Sequence, residues 1–532
     1  MSRAARMGAM FALVAIAVST CAVWLAAQPA PSPTRAPTPE VSGASGTPTP
    51  SPTPSPSPTL SEWEVALAVA QGLPLEVAAG HVIMPDISSA SPRAAAELVR
   101  SRHLAGLIVM GGGITDEAGV KALTAAIASA DPERPWPVMI ATDEEGGVVQ
   151  RLRPLLGYVS AFMAAGANGE SGEIRDYYAG LGAQMAELGF TMDMAPVADV
   201  TIGLKDPTIR TRSAGSDPAA VAEVVGAAWH GLEDGGVTPV LKHFPGHGSV
   251  RTDSHTGLPV QSASIATLES RDLVPFASAV ADGAPAVMVG HIRVKAWGNA
   301  PASVNPRAYA YLREELAFDG LVMTDAMNMG AITERYGPGK AAALAIGAGA
   351  DLVVMPANLD KAIAGIEQAV MNGTLPRERL DEAVARVAMA AMAQARLVSN
   401  VEPERPTAFV EGSIVVASAR CDALIGDAVH VTGGTPGQRT ALATALRAEG
   451  VRVGSKGTVI ALVAGDRGHA KADVVVALGG PWGLPKSTAK TYVATWGGGG
   501  EQLRALAKVL TGEVAPRGTW PVKLRLPYSV CS

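Results

Sequence analysis

Positive charge is in short supply in this chain. Its 43 lysines and arginines are outnumbered by 49 aspartates and glutamates, the formal net charge is -6, and charged residues amount to only 17% of the sequence. Proteins that hold nucleic acid carry a basic stripe or patch, so a nucleic-acid partner is not expected. Cysteine is rarer still: three among 532 residues, in none of the paired spacings of a zinc site. Cys21 lies in an N-terminal apolar stretch. Cys421 and Cys531 lie toward the chain end, where two thiols of an exported protein either bridge, tying the last residues to a second domain, or stay free.

What is present begins with an export signal. Arg3 and Arg6 precede an apolar run over about 7–27, broken only by Ser19 and Thr20. Arginines ahead of such a run favour a cytoplasmic N-terminus, which sends the rest of the chain outside. Three fates fit: cleavage after small residues such as Ala27, retention as a single membrane anchor, or lipidation at Cys21, where Thr20 departs from the usual lipobox. Residues 28–59 are mostly Pro, Ser and Thr. Proline at that density removes amide donors and fixes φ, which predicts an extended spacer of about 3 Å per residue. It is either a plain disordered linker or a stalk holding the catalytic part away from a membrane within a cell wall.

The remaining length suits two folded domains. Over 60–400, short apolar runs at 81–85, 106–110, 137–141, 191–196, 239–242, 286–289, 320–323 and 351–355 alternate with Ala-rich stretches of helical period. Continuous rather than alternating hydrophobicity suits strands buried on both faces. The pattern predicts an α/β fold, a (β/α)8 TIM-type barrel. Polar residues fall directly after the runs: Asp143 and Glu144, then Asp193, His243, His291 and Asp325. In such barrels the carboxyl ends of the strands carry the active site. After a linker at 401–411, residues 412–532 show strand-like runs at 428–432, 458–463, 473–478 and 491–496 with helices through Leu442 and Leu446 and over 501–510. They predict a smaller doubly wound α/β domain, a structural partner without clustered ionisable groups.

Three stretches carry chemistry. In the first, His243 and His247 stand four apart, the spacing of a helical metal pair, yet Pro245 and Gly246 break any helix between them and no third ligand lies nearby. A glycine-rich turn aiming Lys242 and His243 inward as donors fits better. Asp253 and His255 follow, two apart, so the carboxylate can accept from one ring nitrogen while the other faces a substrate; the alternative is a solvated loop. In the second, Asp325 ends the seventh run, where a carboxylate can attack an anomeric carbon or partner a metal or lysine. No carboxylate cluster accompanies it to favour a metal. In the third, Asp143 and Arg151 flank a glycine turn and offer an acceptor and a donor to sugar hydroxyls.

Together these stretches resemble glycoside hydrolase family 3, in its bacterial β-N-acetylglucosaminidase branch. The likeness rests on KHFPGHG (242–248) followed by DSH (253–255), with DEEGGVVQRL (143–152), RSAGSDP (212–218), MTDAMNM (323–329) and RGTWPV (517–522) in support. The resemblance implies Asp325 as nucleophile, His255 as acid/base and Asp253 as its orienting partner. It implies that Asp143, Arg151, Arg212, Lys242 and His243 hold a terminal N-acetylglucosamine, and it implies no cofactor and no metal. The expected reaction is exo-acting, retaining release of β-linked N-acetylglucosamine from peptidoglycan fragments or chitooligosaccharides. Glu144 stands where glutamine is common in the family, Val148 where arginine is, and the second domain is short. The alternatives are a β-glucosidase-type exo-hydrolase on the same fold and a non-catalytic wall-binding lipoprotein.

Overall fold

Each apolar run of the first part of the chain becomes a short strand buried on both faces, because it has no polar side to offer to water. The computed structural model describes residues 60–531; the expected export segment and spacer over 1–59, with Cys21, lie outside the described residues. Strand β1 is Ile83–Met84, continued after Pro85 by Asp86–Ile87; β2 is Gly106–Val109, β3 Met139–Thr142 and β4 Met192–Asp193. Strand β5 is Thr238–Pro239, continued after Val240 by Leu241–Phe244; β6 is Ala286–Val289, β7 Leu321–Thr324 and β8 Val353–Val354.

Every pairing among these strands is parallel. β1 pairs with β2, β2 with β3, β3 with β4 and β4 with β5. β5 pairs with β6, and β6 with β7. Met323 of β7 bridges Leu352 just ahead of β8, and β8 returns to β1 with Ile83 opposite Val353. The circuit of pairings thus comes back to its first strand, with helices between successive strands. Local signals start and seat those helices. Asp217 accepts from the amides of Ala219 and Ala220 at 3.1 Å ahead of Pro218–Asp234, and Pro218 sits in a first turn that needs no donor. That helix lies so close to Ser171–Glu187 that a Cβ at Gly231 would stand 2.4 Å from the carbonyl oxygen of Arg175.

Farther along, β9 (Val415–Ser418), β10 (Ala428–Gly433), β11 (Arg452–Val453), β12 (Thr458–Val463), β13 (Val474–Ala477) and β14 (Thr491–Ala494) form one sheet in the order β9, β14, β13, β12, β10, β11. Only the β9–β14 pairing is antiparallel. The expected strands are found; β9 and β11 are additions at the two edges. Cys421 and Cys531 form a disulfide beside an Ala417–Val530 bridge, which joins the end of the chain to β9. Glu62–Ser532 is a single compact unit in which one hydrophobic core includes residues of both the ring of strands and the second sheet. The carboxyl ends of β3, β5, β6 and β7 point to one mouth, and of the strand-end polar residues singled out above Asp143, His243 and Asp325 line one cavity there.

Candidate active site

Lys242 lies within β5 and is buried, with Nζ 2.7 Å from Asp143 Oδ1 and 2.6 Å from Glu145 Oε1. Arg212 donates to both oxygens of the same Glu145, Nε to Oε2 at 2.7 Å and Nη2 to Oε1 at 2.8 Å. Burial alone would push the Glu145 carboxyl up; Arg212 and Lys242 outweigh it and hold the group far below the usual carboxylate range. Burial would lower Lys242, and Asp143 and Glu145 raise it instead. Two cations and two anions therefore stand fixed and mutually neutralised, a polar floor that needs no rearrangement to meet a ligand.

Asp143 follows β3, and a hairpin of Glu144–Gly146 and Val149–Gln150 brings Arg151 back beside it, Nη2 3.9 Å from Asp143 Oδ2. Glycine is required at the bend: Gly146 has φ +84°, and a Cβ there would stand 2.2 Å from the carbonyl oxygen of Ser160. His243 Nδ1 donates to Asp199 Oδ2 at 2.7 Å, which fixes its tautomer and turns Nε2 toward Arg212 Nη2, 3.4 Å away. Asp199 is fully buried and would be pushed up by burial, but His243 and then His247 hold it down.

The loop after β5 carries the Asp253–His255 pair. His255 Nδ1 donates to Asp253 Oδ1 at 2.7 Å, and the His255 amide donates to the same oxygen at 2.9 Å. Asp253 sits below its ordinary value: burial raises it, and the amide and ring of His255 overcome that. Between them Ser254 is buried, its Oγ 2.9 Å from Nε2 of buried His247. The loop also accepts from the segment beyond β7, Gly330 N to His255 O at 3.3 Å and Ala331 N to Ser254 O at 3.2 Å.

Asp325 ends β7, only 8% exposed, with Oδ1 accepting from the Ala326 amide at 2.8 Å. Burial would raise its pKa, yet His291, His243, the Ala326 amide and Lys242 together hold it below the ordinary value, so it is an ionised carboxylate at neutral pH. His291 is tied at both nitrogens, to Ser303 Oγ at 2.7 Å and the Ala326 carbonyl at 2.9 Å, which steadies the turn carrying the carboxylate.

Asp143, Arg151, Arg212, Lys242, His243, His255 and Asp325 all line one cavity of about 290 Å³, whose wall also includes apolar side chains such as Met194 and Met288. Of the predicted set only Asp253 is not on its wall; it stands behind His255. The same stretch of chain accounts for the fold: the pattern of the Glycosyl hydrolase family 3 N terminal domain matches residues 75–390.

The chain belongs to glycoside hydrolase family 3. Among its relatives is "Beta-hexosaminidase LpqI" of Mycobacterium tuberculosis, 41% identical over 268 residues that make up 48% of this chain and 68% of that protein. A family 3 β-N-acetylglucosaminidase from Paenibacillus sp. str. FPU-7 superposes with a TM-score of 0.75 at 26% identity, over 85% of this chain and 99% of that one. A family 3 member from Mycobacterium smegmatis superposes with a TM-score of 0.56 at 36% identity, over 60% of this chain and 98% of that one.

In this family 3 protein Glu145, Asp199 and Ser254 have roles that the sequence reading did not assign, and His247, whose spacing from His243 suggested only a metal pair, is instead an anchor for Ser254. Glu145 was hidden among three consecutive acidic residues, only one of which becomes the hub of the floor. Asp199 had a signal in the sequence, a lone carboxylate in the apolar stretch 194–200. Glu144 is different again. Burial pushes its carboxyl up to about 8, and Asp193, which accepts from the Glu144 amide at 2.9 Å, is pushed up to about 7. A protonated glutamic acid presents one donor and one acceptor, as glutamine does, and Glu144 Oε2 accepts from the Leu152 amide at 2.7 Å.

Proposed function

We propose that this glycoside hydrolase is an exo-acting, retaining β-N-acetylglucosaminidase working by double displacement. The observation that carries the reading is the pairing, around one small cavity, of an ionised carboxylate, Asp325, with an imidazole whose far nitrogen is held by Asp253. Asp143, Arg151, Lys242, Arg212 and His243 hold the hydroxyls of the terminal sugar. Asp325 attacks the anomeric carbon while His255 gives its Nε2 proton to the departing oxygen, and Asp253 stabilises the imidazolium beforehand. The neutral imidazole then takes a proton from water, and that water releases the sugar from Asp325. A cavity of about 290 Å³ is small enough to suit a single terminal sugar residue, which supports exo action.

The names of the relatives, a β-hexosaminidase and a β-N-acetylglucosaminidase, support N-acetylglucosamine as the sugar. We place the enzyme outside the cytoplasmic membrane, from the apolar run and spacer of residues 1–59, with peptidoglycan fragments as substrate and chitooligosaccharides offering the same terminus. The test is to give the full-length protein aryl glycosides and muropeptides, with and without phosphate, and to identify the released sugar. Faster cleavage of a nitrophenyl β-glucoside than of the N-acetylglucosaminide would overturn the assignment. A sugar 1-phosphate as product would make the enzyme a phosphorylase, an outcome the uncharged base permits because it does not repel an anionic acceptor.

A further inference from the structure

The second sheet meets the catalytic ring with the carboxyl ends of its parallel strands. In open α/β sheets that edge is where ligands dock; here it holds protein. The Trp496 carbonyl, beyond β14, accepts from the Ala161 amide at 3.1 Å. Trp482, beyond β13, packs so closely on Gly203 that a Cβ there would lie 2.9 Å from its Nε1. Asp466, beyond β12, accepts from Arg210 Nη1 at 3.0 Å through Oδ2 and from the Gly480 amide at 3.1 Å through Oδ1, so the sheet itself orients the carboxylate.

Arg210 is no ordinary surface cation. Its φ of +47° is left-handed, uncommon for a residue with a Cβ. Its amide donates to Asp206 Oδ2 and its Nε to the Asp206 carbonyl, both at 2.9 Å. Buried Asp206 also accepts from the amides of Thr208 and Ile209, two residues on the cavity wall. Arg210 opens the short turn Arg210–Arg212, and Arg212 is the residue that grips Glu145 in the floor. The chain of contacts thus runs from the second sheet, through a partly buried ion pair and a strained backbone position, to a sugar-binding guanidinium.

We propose that Asp466 is a positioning residue for substrate binding: through Arg210 it sets the Arg210–Arg212 turn, so that the second sheet contributes to the affinity for the terminal sugar without touching it. The proposal rests on the cavity being the N-acetylglucosamine site. Asp466→Ala and Asp466→Asn in the full-length protein should raise KM for an aryl N-acetyl-β-glucosaminide about fivefold to tenfold with kcat within about twofold of wild type. Asp466→Glu should restore most of the affinity. Titration with N-acetylglucosamine should show the same loss in Kd, and it reads binding without turnover. Arg517→Ala breaks a comparable pair with Glu173, on a helix away from the cavity, and should leave KM unchanged. An unchanged KM and Kd in active Asp466 variants, or an equal rise in KM on losing Arg517, would overturn the proposal while leaving the hexosaminidase reading intact. A wild type that neither cleaves the glycoside nor binds the sugar would overturn both.

Discussion

The buried ring of His247 is joined through Nε2 to the buried hydroxyl of Ser254, 2.9 Å away, and Ser254 separates the two members of the Asp253–His255 pair. One hydrogen bond therefore fastens the end of β5 to the loop that presents the acid/base. Burial, with His243 second, pushes His247 down to about 4, so the ring is neutral at working pH and serves as an anchor rather than as a charge. Ser254→Ala would leave His247 with neither nitrogen satisfied, since Nδ1 already lacks a hydrogen-bond partner among the described residues. The expected cost is about 1–3 kcal/mol of stability, together with a fall in kcat larger than any change in KM. Thermal unfolding and steady-state kinetics on one preparation check both.

Asp325→Ala removes the nucleophile and the side-chain acceptor of the Ala326 amide, while the amides of residue 325 and of Met327 keep their backbone acceptors, the Val289 and Val354 carbonyls. Its kcat should fall by at least about a thousandfold with far-ultraviolet circular dichroism unchanged. Residual turnover near the wild-type level would mean that another group attacks the sugar.

His255→Ala should depend on the leaving group. An activated aryl glycoside departs without a proton, whereas an N-acetylglucosamine–muramic acid linkage needs one. The variant should therefore lose far more activity on the disaccharide than on the aryl substrate in the glycosylation step. Equal losses on both would argue against His255 as proton donor.

Glu144 makes a prediction about stability and pH. Its folded pKa, about 8, lies above its ordinary value of 4.5 because burial disfavours the charge. Between those values the folded chain binds the proton more tightly than the unfolded one, so stability declines as pH rises from about 4.5 to about 8. Asp193 adds to the slope in the same sense, from 3.8 to about 7. Glu144→Gln should flatten the decline and leave the protein more stable at pH 8, by an amount on the order of a few kcal/mol. Urea unfolding of both proteins from pH 5 to pH 8 measures it; parallel curves would show that Glu144 is not protonated in the fold.

Much of this molecule was legible in its residues. Runs such as Gly106–Val109 and Ala286–Val289 are apolar throughout, so burial on both faces and parallel pairing followed from them. Asp325 was readable because a charged group directly after such a run has to emerge at a strand end. The Asp253–His255 bond was readable because its partners are two residues apart.

Other relationships join residues that no local pattern connects. Glu145 and Arg212 lie 67 residues apart, Asp199 and His243 44, and Arg210 and Asp466 256. Cys421 and Cys531, 110 residues apart, could only be left as paired or free until the chain end was seen beside β9. The short edge strand β11 was missed because two residues of pairing, Arg452 and Val453, leave no periodicity to detect. Hydrophobic period and turn chemistry are set within a few residues, and they determined the elements and which positions reach the mouth of the ring. Which charge neutralises which depends on distances that exist only once the strands have paired, and tertiary structure alone decided it.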